Sequence, residues 1–424
     1  MHLALALACA VLCAAGSVPQ PPLAGAVLLG ELALDGRLRP VRGVLPALLA
    51  ARNAGWERAV VPADSLAEAS LVHGIEVLGA RRLLDVLAWA RGTGDLLVPG
   101  PTALPPEEDL VDLGDVVGQD EARWAVEVAA AGAHHLLLTG PPGTGKTMLA
   151  QRLPGLLPPL GEQDALEVTA IHSVAGLLTS ERPLISRPAF VAPHHTSSVS
   201  ALVGGGSGLA RPGAVSRAHR GVLFLDECPE FGSRALEALR TPIEEGEVRI
   251  ARRDGVARYP ARFQLVLAAN PCPCAPPRET ECVCPPSARR RYLGRLSGPL
   301  LDRVDLRVRM RPLASAALTD DTAEDSAAVR ARVAAARDAA GGRWAEHGWR
   351  TNAEVPGPAL RQRFRLGRAA LTPLERALRT GEVTARGADR ALRVAWTLSD
   401  LAGTTAPGRE QVAAALEFRD RRSA

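Results

Sequence analysis

Lysine is nearly missing from this sequence: of the 50 basic positions in its 424 residues, only Lys146 is lysine. Aromatic residues make up 3%, which argues against recognition by stacking successive bases on aromatic platforms. The formal net charge of +4 is small for such a length, so a surface that attracts polyanions must be local rather than global. No apolar run is long enough to cross a bilayer. The seven cysteines are odd in number, and four crowd into "CPCAPPRETECVC", which is not a disulfide framework. The apolar start, "MHLALALACAVLCAAGS", has only His2 where a secretory leader carries lysine or arginine. It reads as a buried core helix of a cytoplasmic protein rather than a signal peptide.

A hydrophobic content of 47% supports ordinary globular cores. Residues 1–91 mix short strands and helices. "AVLLGELALDGRLRPV" predicts two strands reversing at Asp35-Gly36, "VLPALLAARNAG" a helix ended by Gly55, and "ERAVVPA" a strand. A linker over 92–112 follows, rich in proline, glycine and acid. Over 113–311, "HHLLLTG", "GVLFLDE" and "FQLVLAAN" are continuous apolar strands between helical segments, the pattern of a doubly wound parallel α/β sheet. From 312 to 424 only helical periodicity remains, which predicts an all-helical domain.

"GPPGTGKT", residues 140–147, sits between an apolar strand and a helix, the context a phosphate-binding loop requires. Gly140, Pro141, Pro142, Gly143, Thr144 and Gly145 would wrap backbone N–H groups around phosphate, aided by the helix N-terminus. Lys146 answers why one lysine survives: a compact ammonium on a flexible stem reaches β- and γ-phosphates where a planar guanidinium is too wide. Thr147 offers a hydroxyl to Mg2+ and Asp226 a carboxylate to the same shell, while Glu227 would polarise the attacking water. Asn270 closes the strand "LVLAAN", where a polar side chain can orient that water. ATP and Mg2+ are the expected ligands.

These residues resemble the AAA+ ATPases, and "APHHTSS", "PGAVSRAHRGVLFLDECPEF", "YPARFQLVLAANPCPC", "SGPLLDRVDL" and "ARGADRALRVAWTLSDLAG" resemble the magnesium chelatase-like YifB/ComM branch. The resemblance implies a hexameric ring that uses ATP for branch migration or unwinding of DNA in recombination and natural transformation. It implies that Val117, Gly118 and Gln119 frame adenine and that Arg303 is an arginine finger reaching a neighbour's ATP. An ion pair with Asp302 or Asp305 is the plainer role for Arg303. It further implies that Arg386, or else Arg393, is the lid arginine sensing γ-phosphate. "GELALDGRLRPVRGVLPALLAARNAG" is similar to the Lon-protease domain, an α+β fold of ribosomal S5 type. The catalytic lysine of that domain falls at Ala47 or a neighbour, so no Ser-Lys dyad can form and a scaffold is expected. Family members carry a longer N-terminal domain, so this chain is expected to begin inside it.

Two further patterns remain. "EEGEVRIARRDGVARYPARF" predicts a hairpin bearing Arg249, Arg252, Arg253 and Arg258; they would meet DNA phosphates without reading bases, unless they are routine surface charge. Cys272, Cys274, Cys282 and Cys284 form two C-x-C pairs that can close a tetrahedral zinc site, or remain reduced and metal-free. His194 and His195, in a Gly-rich insertion, are open between metal ligation and loop hydrogen bonds. A chelatase-type motor subunit that remodels a partner protein, and a non-motor regulatory ATPase, are the alternatives to a DNA motor.

Overall fold

The structure, a computed structural model, describes residues 4–100, 111–206, 210–252, 255–277, 279–312 and 324–419. The chain divides into two compact units, one of residues 1–108 with 160–186, the other of 109–159 with 187–424.

The larger unit is built on a five-stranded parallel sheet. Its strands are β1 (Leu136–Thr139), β2 (Phe190–Val191), β3 (Val222–Leu225), β4 (Gln264–Ala269) and β5 (Leu306–Arg309), in the order β5-β1-β4-β3-β2. Alternate residues enter opposite cores. Leu136, Leu138, Val222, Phe224, Val266 and Ala268 pack on one face, and Leu137, Leu223, Leu225, Leu265 and Leu267 on the other. Two covered faces explain why these strands read as unbroken apolar runs. The first face is covered by α1 (Asp120–Gly132), α2 (Lys146–Leu156) and the C-terminal helices, which include α3 (Ser326–Trp344), α4 (Ala385–Leu401) and α5 (Arg409–Glu417).

Trp344 anchors the helical part. It is fully buried, meets Phe364 and Trp396 edge-on at 4.7 and 5.4 Å, and its indole N–H donates to Asn352 Oδ1 at 2.8 Å. The helices join the sheet through a buried polar seam. Asp305, just before β5, accepts from Arg390 Nη1 of α4 at 2.7 Å and from the His135 backbone N–H at 3.0 Å. His134 Nε2 lies 2.7 Å from Thr397 Oγ1. Burial holds the His135 imidazole neutral, with its pKa near 4, and its Nδ1 accepts the Leu265 N–H at 3.0 Å.

The smaller unit has a three-stranded parallel sheet of Ala26–Leu28, Arg58–Pro62 and Glu76–Ala80. The expected turn is found as a short hairpin pairing Leu32 with Leu38, with Gly36 at φ 80, and the expected helix runs over Val44–Asn53. The apolar start is helical over Ala4–Ala14, with Leu5 and Cys9 buried.

One expected span divides differently in the structure. Residues 160–186 fall inside the span expected to be ATPase core, yet their helix Glu162–Ala175 belongs to the smaller unit. Leu166 and Ala170 pack against the core containing Val44, Leu45 and Leu48. The half-buried Glu68 carboxylate accepts the Leu45 N–H at 2.9 Å and the Ser173 hydroxyl. Of the expected linker over 92–112 only the two ends are described: Leu97 bridges Gly79, and Asp112 accepts the Gly114 N–H at 2.7 Å. Among the described residues no helix is long and apolar enough to cross a membrane.

Candidate functional site

The loop between β1 and α2 owes its path to glycine. Gly143 and Gly145 have φ of 77 and 90, conformations that L side chains rarely adopt. At Gly140 a Cβ would stand 2.5 Å from the Met310 carbonyl oxygen. Gly145 ends the loop at the N-terminus of α2, whose first residue is Lys146. Lys146 is 8% exposed, and its Nζ donates to the Gly140 and Pro141 carbonyls at 2.8 and 2.7 Å. Burial lowers the ammonium pKa, and the Asp226 and Glu227 carboxylates pull it back up. Thr144 Oγ1 donates to the Pro141 carbonyl at 2.9 Å.

Thr147 and Asp226 are 79 positions apart, yet Thr147 Oγ1 donates to Asp226 Oδ2 at 2.6 Å. Asp226 closes β3 beside β1's loop, and its Oδ1 accepts the Glu227 N–H at 2.9 Å. A hydroxyl and a carboxylate brought together beside an ammonium and a helix N-terminus suit Mg2+, a hard cation that takes oxygen ligands and shares them with phosphate. Asn270 follows β4 and is half-buried; its backbone N–H meets the buried Tyr292 phenol. Gln119 Nε2 donates to the Arg311 carbonyl at 2.8 Å and the Thr144 carbonyl at 3.3 Å. Val117, half-buried, and Gly118, at φ 67, precede it.

The four cysteines converge. Their sulfur atoms all lie within 4.8 Å of one another, and Cys272, Cys274 and Cys282 are separated by 3.4, 3.6 and 3.3 Å. Zn–S bonds of about 2.3 Å put tetrahedral sulfurs about 3.8 Å apart, so the donor set fits zinc. The backbone N–H of Cys284 lowers the Cys282 thiol to about 7. His194 and His195 belong to no such cluster among the described residues. The basic hairpin pairs Glu247–Arg252 with Gly255–Pro260, and Arg249 stands directly opposite Arg258. Like charges facing across strands destabilise a hairpin; here Glu247 and Glu245 compensate, at 2.5 and 3.4 Å from Arg249. The Arg252 side chain and all of Arg253 lie outside the described residues.

Comparison with known proteins is decisive. The family described as "Magnesium chelatase, subunit ChlI" matches residues 112–318, its C-terminal companion 323–419, and "Subunit ChlI of Mg-chelatase" 1–65. An uncharacterized Mycobacterium tuberculosis protein is 65% identical, covering 98% of this chain and 82% of that protein. YifB of Escherichia coli is 40% identical (98% and 81%), and competence protein ComM of Haemophilus influenzae 39% (98% and 82%). The chain belongs to the magnesium chelatase-like YifB/ComM family. This AAA+ family suggests ATPase activity with ATP and Mg2+.

Of the arginines expected from YifB/ComM membership, Arg303 is held within its own chain. Arg303 is 5% exposed and pairs with Glu244, while its Nη1 donates to the Pro299 carbonyl. Neither expected partner is used: Asp305 holds Arg390 instead. Arg386 is exposed in the first turn of α4, whereas Arg393 donates Nε to the Val355 carbonyl at 2.7 Å and is half-buried. Sequence reasoning missed Glu244, Tyr292, the Asp305–Arg390 pair, and the approach of His195 Nδ1 to Glu227 Oε2 at 3.3 Å. Single acids, phenols and histidines carry no spacing signal.

Proposed function

We propose that the protein is a ring-forming ATP-driven motor that acts on DNA. The observation that carries the ATPase part is the Thr147–Asp226 hydrogen bond beside Lys146. Thr147 and Asp226 would hold Mg2+, which supplies charge neutralisation across the phosphates when bound. Lys146 exchanges its carbonyl partners for phosphate oxygens. Glu227 orients and deprotonates the attacking water, and Asn270 fixes its other side. Arg303 of a neighbouring subunit would leave Glu244 for the developing phosphate charge, and Arg386 would report the same charge to the helical lid. Sites shared in this way call for a ring of like subunits, which we take to be a homo-hexamer.

DNA as the track rests on the opposed pair Arg249 and Arg258, and on the competence role that the ComM relative's name records. Paired cations on one face of a hairpin suit a phosphate backbone. Cys272, Cys274, Cys282 and Cys284 would hold a structural zinc beside Asn270, steadying the end of β4.

The test is ATP hydrolysis with and without single-stranded and branched DNA, run beside Glu227→Gln. We expect several-fold stimulation by DNA and a loss of about 10²-fold or more in the variant. No stimulation, with no migration of a synthetic four-way junction, would turn the reading towards a chelatase-type subunit that responds to a protein partner. A slow, unresponsive basal rate would turn it towards a regulatory ATPase.

A further inference from the structure

The roles above use the capacity of the four cysteines to hold metal and leave their reactivity without work. The cluster is unevenly exposed. Cys272 is 2% exposed, whereas Cys274 is open to solvent. Cys282, partly exposed, stands 3.6 Å from Cys274 and 3.3 Å from Cys272. Directly after Cys274, Ala275 takes φ 43, a conformation uncommon outside glycine and kept only where the surroundings impose it. Its N–H donates to the Cys272 carbonyl at 3.3 Å. The sulfurs are therefore gathered by a folded turn rather than by a slack loop.

The roots of this loop lead to the end of the sheet that carries the candidate site. Cys272 comes just after Asn270, and Cys284 just before the helix Pro286–Leu293. That helix carries the buried Tyr292, whose phenol meets the Asn270 backbone N–H. Beyond it, Arg295 Nη1 donates to Glu230 Oε2 at 2.9 Å and to the Pro229 carbonyl at 3.3 Å, both in the turn that follows Glu227. Strand end, cysteine loop and helix form one closed circuit. Cys272 and Cys284 tether its roots, and Cys274 and Cys282 lie towards its tip.

We propose that Cys274 and Cys282 are an oxidative modification site through which a peroxide slows ATP hydrolysis. The inference rests on the reading of the cysteines as a zinc clip and of Asn270 as the group that orients water. The Cys274 thiolate attacks one peroxide oxygen: an S–O bond forms, the O–O bond breaks, and hydroxide leaves and is protonated to water. The Cys282 sulfur then attacks the Cys274 sulfur: the disulfide forms, the S–O bond breaks, and a second water leaves with a solvent proton. The two thiolates lose two electrons and the peroxide gains them. Zinc, left with two of its four ligands, departs. Cys272 and Cys284 are then untethered at the two roots that hold Asn270. A shift of about 1 Å in a positioning group costs up to about 100-fold in rate.

The test follows the full chain before and after hydrogen peroxide by four measurements: steady-state ATP hydrolysis, calorimetric binding of magnesium nucleotide, zinc release to a chromogenic chelator, and disulfide mapping by mass spectrometry. Peroxide is expected to lower kcat by about 10-fold or more, with KM and nucleotide affinity within about twofold because ground-state binding is untouched. About one zinc per chain should appear together with a Cys274–Cys282 disulfide, and a thiol reductant with added zinc should restore the rate. A chain carrying Cys9→Ser and Cys13→Ser, altered only in the smaller unit, should respond in the same way. In Asn270→Ala peroxide should add no further loss, since both act through one group. A zinc-loaded chain whose kcat is unmoved by peroxide overturns this proposal alone. So does a loss without the Cys274–Cys282 disulfide, a loss that tracks oxidation of Cys228, or a loss that appears in affinity. A chain purified without zinc ends the zinc reading. If its rate is also unmoved by peroxide, both readings fall; if the disulfide forms and the rate falls reversibly, the switch stands on the thiols alone.

Discussion

Replacing Arg390 with methionine tests how the helical lid is held to the sheet. Asp305 is 1% exposed and is bonded to Arg390 Nη1 at 2.7 Å and the His135 N–H at 3.0 Å. Burial alone would raise its pKa, but Arg390 and the two adjacent histidines outweigh burial and hold the carboxyl well below its usual range. Methionine keeps the bulk and strands the carboxylate. Removing one partner of a buried pair costs about 3–5 kcal/mol, which should appear as lowered stability in urea unfolding at pH 7.5. The double variant Arg390→Met with Asp305→Asn should regain most of it, because the Asn carbonyl still accepts from His135 and no charge is buried. The pH dependence follows with a definite sign. In the wild type the depressed pKa contributes stability above the unfolded value near 4, which is lost only as pH falls through the lower folded value. In Arg390→Met burial is less opposed and the folded pKa rises, so protonation relieves the strain as pH falls. The gap between the two proteins should narrow towards pH 4. A loss below about 1 kcal/mol, or a gap independent of pH, would refute the seam as the link between lid and core.

Three further outcomes are expected. His135 titrates near 4 when folded against 6.5 otherwise, so unfolding should become easier as pH falls from 6.5 to 4, by roughly 3 kcal/mol at about 1.4 kcal/mol per unit; a His135→Asn chain should show a flatter profile over that range. Metal analysis of purified protein should give about one zinc per chain, lost in Cys272→Ser; a zinc-free, fully active preparation would end that assignment. Arg303→Ala and Lys146→Ala chains, each inactive alone, should partly rescue one another in mixed rings if, as proposed, each site draws on two subunits; mixed rings that assemble and stay inactive count against a shared site.

The legible parts of this molecule were those whose signal is local. The strands β1, β3 and β4 announce themselves because both faces are covered, which forces consecutive apolar residues. The phosphate loop is legible because its backbone excludes side chains at Gly143 and Gly145 and requires one ammonium. What stayed hidden depends on pairings between distant single residues. Glu244 lies 59 positions before Arg303, and nothing around it distinguishes it from Glu245. The helix Glu162–Ala175 has only a weak apolar stripe, so its alliance with Val44–Asn53 follows only from which core Leu166 and Ala170 join. The Arg303 burial sharpens the mechanism rather than removing it. A guanidinium held against a half-exposed carboxylate in the single chain cannot also meet phosphate, so a shared site requires exchange of Glu244 for a neighbour's nucleotide. That exchange replaces one anion with a more highly charged one, which makes it favourable only when the nucleotide is present. In the ring proposed above, assembly and nucleotide occupancy would then be coupled through one side chain, with Glu244 rather than Arg303 setting the threshold.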